Sequence, residues 1–366
     1  MKSSHVDVTF ILGSLGIGGV ERVTIAIANY LVSQGKCVHL VVLTNQDMSI
    51  KSEIEKGVNI RIFNSKRVSA SLLQLKRYIV KNNPDCIFSA MEYVNIVCGF
   101  ACILSRYSGR LILSERIDIV ENHKQKFNSR LKICSYLVPF IYKRANKLHF
   151  ISKGVSESFF NYYGNLGNPH VIIHNPISAF TLLDIKKQRF KNKKSNVVRI
   201  LAIGRLVKQK NFSTLIKSIA KLKNTLKMDL TIVGDGVEKD KLKLLVKSLE
   251  IDGMVKFVGF QTNVLQYYLS AEIFVMSSIW EGFGNVIVEA LAAGCKVVST
   301  DCPSGPAEIL ENGRWGELCE INNVDSLAEA IYKCHNSSYE AGSVRALNFS
   351  IEKIGKEYER LLFNED

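Results

Sequence analysis

Short apolar runs alternate with amphipathic stretches along the chain, which is the pattern of strands and helices in a parallel α/β fold. In the first half, one helical pattern ends at Gly35 and two others cover residues 71–82 and 94–105. The apolar runs predict strands at residues 6–12, 38–43, 60–63, 86–90, 111–114, 148–152 and 171–174. This order of elements predicts a Rossmann-like domain.

The same alternation begins again after residue 196. Helices are predicted at residues 208–222, 239–249, 264–269 and 306–310, and strands at 197–203, 230–233, 256–259, 271–278 and 296–300. A polar, basic stretch at residues 185–196 separates the halves. We therefore predict two Rossmann-like domains, residues 1–180 and 197–345, whose parallel sheets face an interdomain cleft. Residues 350–366 are a candidate segment for packing back onto the first domain.

The formal net charge of +14 is unevenly distributed. Residues 1–180 contain 22 basic and 11 acidic side chains, and residues 181–195 add six basic and one acidic. A basic half indicates an anionic partner, which nucleic acid, a membrane surface or a phosphate-bearing small molecule would satisfy. Nine scattered cysteines without a CxxC pair argue against a disulfide framework or zinc module and for a reducing cytoplasm. No signal sequence is visible, and no apolar run reaches the roughly 20 residues of a membrane span.

Glycines follow the first predicted strand and include Gly18 and Gly19. Glycines at this point let a ligand approach the backbone at a helix N-terminus. The spacing is not G-x-G-x-x-G, and the second strand ends in Thr44-Asn45 rather than in an acidic residue. Both features disfavour a nicotinamide dehydrogenase. A tight turn without a ligand is the plainer alternative.

Two glutamates stand eight residues apart in the second half, at Glu281 and Glu289. The first lies in a predicted glycine-containing loop, and the second lies in the early turns of the helix that follows, with Asn285 as its predicted cap. The N–H groups at a helix start bind anions, and carboxylates accept hydrogen bonds from sugar hydroxyls. The pattern therefore favours a ligand that carries both phosphate and hydroxyl groups.

Two cations follow the strand that opens the second half. Arg205 comes at the end of this strand, and Lys210 comes five residues later at a predicted helix start. Taken singly, such residues are more often surface charges. Together with the helix start near Asn285, they describe a diphosphate site.

Three charged residues follow predicted strands of the first half: Glu92, Glu115 and Arg116. Open α/β sheets place ligands at the carboxyl ends of their strands, so each residue is a candidate substrate contact. The alternative, to which we give equal weight, is that each of these residues is a solvated charge in a surface loop.

The segment 123–147 contains seven lysines and arginines, no acidic residue, and an apolar, aromatic stretch between them. This composition is typical of a helix at a membrane interface, where basic residues are attracted to anionic lipids. A core helix with a solvated basic edge is the alternative. Nothing in the segment resembles a nucleic-acid-binding module, so no nucleic acid partner is expected.

Several of these motifs occur together in one family. Glu281-Gly282-Phe283-Gly284 with Glu289, Gly204-Arg205 with Lys210-Asn211, Gly234-Asp235-Gly236 and Gly18-Gly19 resemble the GT4-type retaining glycosyltransferases of the GT-B fold. The resemblance extends over about residues 7–335 and is strongest after residue 197. The run of residues 302–309 looks like the bacterial branch that builds O-antigen, capsule and lipid-linked glycan precursors.

The resemblance implies roles for individual residues. Glu289 would bind the ribose hydroxyls, and Glu281 would face the donor sugar near its reacting carbon. Arg205 and Lys210 would neutralise the leaving diphosphate. The remaining implied donor contacts are Gly18 and Gly19 over the diphosphate, Gly259 and Phe260 near the base, and the backbone N–H groups of Phe283, Gly284, Asn285 and Val286.

This chain departs from the family pattern at one position. Many relatives have a histidine after the strand at 111–114, where this chain has Glu115-Arg116. We therefore hypothesise that Arg116 contacts an acceptor phosphate or sugar. No Asp-x-Asp occurs in the chain, so catalysis is expected to require no metal and no cofactor other than the nucleotide sugar.

The combined prediction is a cytoplasmic hexosyltransferase held at the inner face of the cytoplasmic membrane by segment 123–147. It would move a sugar from a nucleotide diphosphate donor, with a UDP-sugar favoured, to a growing glycan on polyprenyl diphosphate. One alternative is a UDP-sugar epimerase of the same fold, against which the spacing of the two glutamates argues. The others are a non-catalytic sugar-nucleotide sensor and a nucleic-acid-binding module in the basic half.

Overall fold

The computed structural model describes residues 5–125, 129–177, 196–338 and 342–363. The chain folds into two compact units. Among the described residues, unit 1 contains residues 5–177 and 350–363, and unit 2 contains residues 196–338 and 342–349. Most of the predicted basic stretch, residues 185–195, lies outside the described residues.

Unit 1 is built on seven parallel strands. They are β1 (Val8–Leu12), β2 (Val38–Thr44), β3 (Asn59–Ser65), β4 (Cys86–Ala90), β5 (Arg110–Glu115), β6 (Lys147–Phe150) and β7 (His170–Ile172). They form one sheet in the order β3-β2-β1-β4-β5-β6-β7. Since the strand order reverses between β1 and β4, the carboxyl ends of these two strands form the edge at which such sheets bind ligands.

Helices cover both faces of this sheet. They are α1 (Gly19–Ser33), α2 (Leu72–Asn82), α3 (Glu92–Ser105), α4 (Ile119–Gln125), α5 (Ser129–Tyr142) and α6 (Lys153–Tyr163). Side chains alternate along each strand, and Phe10, Leu40 and Phe88 pack in one core with α1. On the opposite face, α2 packs on α3, and α3 packs on α5.

Unit 2 repeats this architecture with six parallel strands. They are β8 (Val198–Ile203), β9 (Met228–Val233), β10 (Val255–Gly259), β11 (Ile273–Met276), β12 (Lys296–Thr300) and β13 (Glu317–Cys319). They form one sheet in the order β10-β9-β8-β11-β12-β13. The helices are α7 (Phe212–Leu222), α8 (Lys239–Ser248), α9 (Leu265–Ser270), α10 (Asn285–Ala293), α11 (Pro306–Ile309), α12 (Val324–Asn336) and α13 (Gly342–Ala346). Two parallel α/β sheets confirm the predicted pair of Rossmann-like domains.

The last helix, α14 (Ile351–Phe363), belongs to unit 1 and packs against α1. Its Ile354 and Tyr358 are buried in the same core as Phe10. A Cβ atom on Gly355 would lie 2.5 Å from the ring of Tyr30, so a small residue at this point lets the two helices approach closely. The chain therefore returns to its first unit after completing the second.

The predicted helix at 208–222 is interrupted. A short 3-10 turn covers Lys208–Lys210, and α7 begins only at Phe212. Asn211 between them adopts a left-handed backbone (φ 49°), a conformation that asparagine tolerates better than most residues. The interruption turns Lys210 away from a regular helical position and into the loop region after β8.

Two further observations concern the described residues as a whole. None of their helices combines the length and apolar character required to cross a membrane. Eight of the nine cysteines are free thiols, and seven of these are buried, while the side chain of Cys134 lies outside the described part of the structure.

Candidate functional site

The loops that follow β8 and β11 meet in unit 2, because these two strands pair in the middle of the sheet. The first loop holds Lys210, and the second holds Glu281. Ile279 N donates to the Gln209 carbonyl (2.8 Å), and Gln209 Nε2 donates to the Trp280 carbonyl (2.8 Å). The loops are therefore fixed to each other by reciprocal hydrogen bonds.

Lys210 and Glu281 form an ion pair in which Nζ donates to Oε1. Their side chains are only 17% and 10% exposed. Charges taken largely out of water are costly unless paired, so each of these groups depends on the other. Among the described residues, Glu281 Oε2 accepts no hydrogen bond. The carboxylate therefore keeps one oxygen available for a ligand.

Ser278 fixes the orientation of this carboxylate. Its Oγ donates to Glu281 Oε1 (2.5 Å), and its own carbonyl accepts a hydrogen bond from Thr300 Oγ1 at the end of β12 (2.6 Å). Ser277 acts on the other partner, since its Oγ donates to the Lys210 carbonyl (2.9 Å). The sequence prediction did not include either serine. The sequence feature that could have indicated Ser278 is its position at the end of a predicted strand, three residues before Glu281.

The carboxylate also affects a neighbouring thiol. Cys302 is buried in the loop after β12. Burial, and then the negative charge of Glu281, raise the pKa of this thiol well above its ordinary value. Cys302 is therefore a neutral packing group at the site.

Helix α10 starts at the end of the Glu281 loop. Its N-cap is Gly284, which has a left-handed backbone (φ 102°), and no side chain caps this end. The prediction that Asn285 is the cap is therefore wrong. The chain needs a left-handed turn before the helix, which glycine adopts without steric cost. The N–H groups of a first helical turn favour anions, and in α10 they belong to residues that include Asn285 and Val286.

The loop after β12 packs directly against the Phe283 backbone. A Cβ atom on Gly305, whose φ is 119°, would lie 1.9 Å from the Phe283 carbonyl oxygen, so only glycine fits. Glu281 N donates to the Pro303 carbonyl (3.3 Å). The Phe283 ring is buried against Phe349, with 5.6 Å between ring centroids. The Phe283 side chain therefore packs in the core, and only the Phe283 backbone is part of the candidate site.

Glu289 lies in the second turn of α10 and is partly exposed. Its Oε2 accepts a hydrogen bond from the Tyr268 hydroxyl (2.8 Å). Tyr268 is fully buried, and burial, followed by the charge of Glu289, raises the pKa of its hydroxyl well above the ordinary value. The tyrosine therefore stays protonated and acts as a fixed donor. Sequence reasoning missed it, since nothing in a pair of adjacent tyrosines shows which one faces α10.

Arg205 is exposed directly after β8, and its guanidinium forms no ion pair or side-chain hydrogen bond within the described parts of the chain. Gly259 ends β10, and its carbonyl accepts a hydrogen bond from Gly234 N (2.8 Å). Phe260 follows with about half of its side chain exposed. Unit 2 therefore brings Lys210 and Glu281 together in the loops that precede α7 and α10, and Arg205 is an exposed cation in the same loop as Lys210.

In unit 1, Gly18 is the N-cap of α1, with an extended backbone, and Gly19 is its first residue. The preceding loop is held by Leu15 N, which donates to the Asp47 carbonyl (2.9 Å). Gly18 is partly exposed and Gly19 is exposed. The structure thus places both glycines at a helix start beside the carboxyl end of β1, as the pattern predicted.

Glu115 ends β5 and lies inside unit 1. The Tyr142 hydroxyl donates to its Oε1, and Asn95 Nδ2 donates to the same atom (3.3 Å). Burial, and then the nearby charge of Glu92, raise the pKa of Glu115 to about 8. This carboxyl group is therefore largely protonated at neutral pH. Glu92 is partly exposed at the first position of α3.

Arg116 is also buried. Its Nη1 donates to Asn175 Oδ1 (2.7 Å), and its Nη2 donates to the Tyr358 hydroxyl on α14 (3.2 Å). An acceptor contact would require the guanidinium to exchange these protein partners for a ligand. The contacts of Glu115, Arg116 and Glu92 with an acceptor stay predictions.

A metal site was not expected, and the described residues contain one group of three possible ligands. His5, Asp7 and Asp85 come together before β1 and β4, at the amino end of the sheet. His5 and Asp85 are exposed. This end of the sheet is opposite to the edge that carries Gly18. The group of three possible ligands therefore contains none of the predicted site residues.

Two family profiles match the chain. The profile described as Glycosyltransferase Family 4 matches residues 17–179, and the profile described as Glycosyl transferases group 1 matches residues 184–343. The N-acetylgalactosamine-N,N'-diacetylbacillosaminyl-diphospho-undecaprenol 4-alpha-N-acetylgalactosaminyltransferase of Campylobacter jejuni is 30% identical over 327 residues, which cover 87% of each chain. The amylovoran biosynthesis glycosyltransferase AmsD of Erwinia amylovora is 26% identical and covers 81% of this chain and 80% of its own length.

Solved structures show the same fold. Anabaena HepE in complex with UDP superposes with a TM-score of 0.79 at 19% identity, and the match covers 98% of this chain and 99% of HepE.

Proposed function

Because the chain belongs to the GT4-type glycosyltransferases of the GT-B fold, we propose that it transfers a hexose, with retention of configuration, from a UDP-sugar to a polyprenyl-diphosphate-linked glycan. It is a hexosyltransferase of bacterial polysaccharide synthesis, and its relative AmsD acts, by its name, in amylovoran biosynthesis. The proposal adds three points to the family assignment: a UDP-sugar as donor, retention of the anomeric configuration, and polyprenyl diphosphate as the carrier of the acceptor glycan.

The observation that carries the proposal is the Lys210–Glu281 pair beside the start of α10. A helix N-terminus and a lysine suit a diphosphate, and a carboxylate with an available oxygen suits a sugar hydroxyl. Glu289, held by Tyr268, lies one turn further along α10 and is assigned to the ribose hydroxyls. UDP as the nucleotide is supported by HepE, whose solved complex contains it.

Sugar transfer in this proposal breaks the bond between the anomeric carbon and the diphosphate oxygen and forms a bond from the acceptor hydroxyl oxygen to that carbon. The acceptor attacks the face from which the diphosphate leaves, and its proton passes to the departing diphosphate oxygen. Negative charge therefore grows on the diphosphate, where Lys210, Arg205 and the α10 start stabilise it. No covalent sugar–protein intermediate is needed.

In this proposal the Lys210 ammonium group has Glu281 as its partner before the donor binds and shares itself with the diphosphate afterwards. Before the donor binds, Glu281 offsets the cost of burying the ammonium group. A bound diphosphate then shares the ammonium group, and the sugar hydroxyls compensate Glu281 by donating hydrogen bonds to it. Fixed cations also make a metal unnecessary in this proposal, so chelation of divalent cations should leave turnover unchanged.

The acceptor side is assigned to unit 1. The C. jejuni relative acts, by its name, on an undecaprenol diphosphate substrate. In segment 123–147, Tyr136 and Phe140 are exposed on α5, and Lys143 and Arg144 are exposed just after it. Residues 126–128, and the side chains of residue 123 and residues 125–134, lie outside the described part of the segment. Exposed aromatic and basic side chains support the proposal that this segment contacts a membrane.

A panel of nucleotide sugars tests the proposal through binding calorimetry and slow donor hydrolysis. We expect one UDP-sugar to bind and to be hydrolysed slowly. Glu289→Ala should weaken binding at least about tenfold, because charge-assisted hydrogen bonds contribute about 1.5–3 kcal/mol. Glu281→Ala should abolish hydrolysis. Glu329→Ala, an exposed glutamate on α12, is the matched control and should change neither.

Two results would contradict the proposal. If no nucleotide sugar binds, the donor site is wrongly assigned. If one binds but is never hydrolysed or transferred to any lipid-linked glycan, the chain is a sugar-nucleotide sensor instead.

A further inference from the structure

Tyr93 presents an aromatic ring at the carboxyl edge of the unit 1 sheet. It is the second residue of α3, directly after β4, and 42% of its surface is exposed. Strand β4 pairs with β1, and the strand order reverses between these two strands. Open parallel sheets bind ligands at such a reversal, so an exposed ring at this point is a candidate ligand contact.

An unusual backbone turn brings the ring to this edge. Met91, the N-cap of α3, has a φ of 81°, which is uncommon for a residue other than glycine. Its N donates to the Ser114 carbonyl (3.2 Å), and its own carbonyl accepts hydrogen bonds from Val94 N (3.0 Å) and Asn95 N (2.9 Å). Backbone strain persists only where surrounding contacts enforce it, and it clusters at functional sites. The strained turn therefore points to a function for Tyr93, which follows it.

The Tyr93 ring rests on the backbone of Gly13. A Cβ atom on Gly13 would lie 3.1 Å from Tyr93 Oη and 3.4 Å from Tyr93 Cε2, so glycine lets the ring lie directly against the chain. The Gly13 carbonyl is itself fixed, because it accepts hydrogen bonds from Thr44 N (3.0 Å) and Thr44 Oγ1 (2.9 Å). The Tyr93 hydroxyl also donates to Met91 Sδ (3.7 Å). The ring is therefore held in one orientation while part of it stays exposed.

A carboxylate lies near this ring. Glu21, in the first turn of α1, is partly exposed. Burial, and then the negative charge of Glu21, raise the pKa of the Tyr93 hydroxyl above its ordinary value, so the carboxylate is within electrostatic reach of the ring. An aromatic ring covers an apolar face, and a carboxylate accepts hydrogen bonds from hydroxyl groups. A pyranose fits this pair, because its C–H bonds form apolar faces and its hydroxyl groups project from the rim.

We propose that Tyr93 is the platform on which a pyranose ring of the acceptor glycan stacks, beside Glu21. This inference rests on the proposed sugar transfer and names a residue that selects the acceptor. Stacking requires a sugar face without an axial hydroxyl group, so the ring distinguishes sugars by the configuration of that face.

Saturation-transfer NMR of the whole protein tests the proposal with methyl glycosides of glucose, galactose, mannose, N-acetylglucosamine and N-acetylgalactosamine, without any nucleotide. We expect at least one glycoside to bind. Tyr93→Ala should weaken its binding about tenfold, which is the size of one aromatic stacking contact. Tyr93→Leu, which keeps an apolar side chain but no ring, should also weaken binding. Tyr93→Phe keeps the ring and should bind within about twofold of the unaltered protein.

Tyr332 on α12 of unit 2 supplies the matched control, because 45% of this tyrosine is exposed. Tyr332→Ala should bind the glycosides as the unaltered protein does. Thermal unfolding checks that each variant stays folded. Nucleotide-sugar binding, measured separately by calorimetry, should be unchanged in Tyr93→Ala. Because the glycosides are tested without a nucleotide, a wrong donor assignment leaves this result intact, and a failure at Tyr93 leaves the donor site intact.

The proposal is overturned if no glycoside binds, or if folded Tyr93→Ala and Tyr93→Leu bind as the unaltered protein does. A loss in Tyr93→Phe as large as that in Tyr93→Ala would show that the hydroxyl group, and not the ring, makes the contact. An equal loss in Tyr332→Ala would show that binding is not specific to this edge. If Tyr93→Ala weakens nucleotide-sugar binding and leaves glycoside binding unchanged, the ring contacts the donor, and the acceptor assignment is wrong.

Discussion

Replacing Ser278 with alanine removes a single hydrogen bond to the proposed catalytic carboxylate. Ser278 is fully buried, and its Oγ lies 2.5 Å from Glu281 Oε1. A hydrogen bond to a charged group contributes about 1.5–3 kcal/mol, which corresponds to about 10- to 150-fold in rate when the bond acts in the transition state. We expect kcat to fall by about this factor. The KM for the donor should change less than about threefold, because Lys210 and the α10 start are untouched.

Steady-state release of the nucleoside diphosphate measures both constants. Ser278→Thr keeps a hydroxyl group and should recover part of kcat. Ser299→Ala is the matched control, since Ser299 is equally buried and its Oγ donates to the Thr300 carbonyl (2.8 Å) away from Glu281. A Ser278→Ala enzyme with kcat within about twofold of the unaltered enzyme would refute the positioning role. A loss in Ser299→Ala of the same size would do so too.

Three further predictions follow from the described contacts. Tyr268→Phe removes the donor to Glu289, so the KM for the donor should rise about tenfold with little change in kcat in steady-state assays; a selective loss of kcat would contradict the ribose assignment. Gly305→Ala places a methyl group against the Phe283 carbonyl on a left-handed backbone and should lower the free energy of unfolding by at least about 2 kcal/mol in thermal melts, whereas a neutral result would contradict the packing. The raised pKa of Glu115, about 8, means that the native protein binds more protons than the unfolded chain between about pH 4.5 and 8, so stability falls as pH rises through that range. Glu115→Gln should flatten this slope, which reaches about 1.4 kcal/mol per pH unit, in urea unfolding at several pH values, and an unchanged slope would refute the buried protonated state.

Much of the fold could be predicted from hydrophobic periodicity. The predicted strands at 86–90 and 296–300 match β4 and β12, because short runs of apolar and β-branched residues bounded by turn residues are typical of buried parallel strands. Helices α6 and α12 were not predicted, although both carry a capping signal. Ser152 accepts a hydrogen bond from Val155 N at the start of α6, and Asn323 caps α12 in the same way.

The candidate donor site could be predicted only as far as its motif residues. Glu281, Glu289 and Lys210 could be proposed from the sequence because their residue types and spacing indicate the chemistry of a sugar-diphosphate site. Their supporting residues, Ser278 and Tyr268, were missed because each acts through a contact that only the folded sheet creates.

Burial was the other quantity that the sequence could not supply. Glu115 and Arg116 follow the predicted strand 111–114 and have the composition of a loop, yet Glu115 is the last residue of β5 and both side chains are buried. Their environment comes from distant parts of the chain, with Tyr142 beside Glu115, and Tyr358 on the returning helix α14 beside Arg116. A local pattern cannot contain contacts that span more than 200 residues.

The most direct test of the account is the anomeric configuration of the sugar in the transferred product. The enzyme is supplied with the UDP-sugar that binds and with a polyprenyl-diphosphate-linked glycan, and the new glycosidic linkage is analysed by the one-bond carbon–hydrogen coupling at its anomeric carbon. The account predicts transfer with the configuration of the donor retained, and loss of transfer in Glu281→Ala. An inverted linkage would contradict the proposed front-face displacement at Glu281, and the absence of transfer to every lipid-linked acceptor would contradict the proposed reaction.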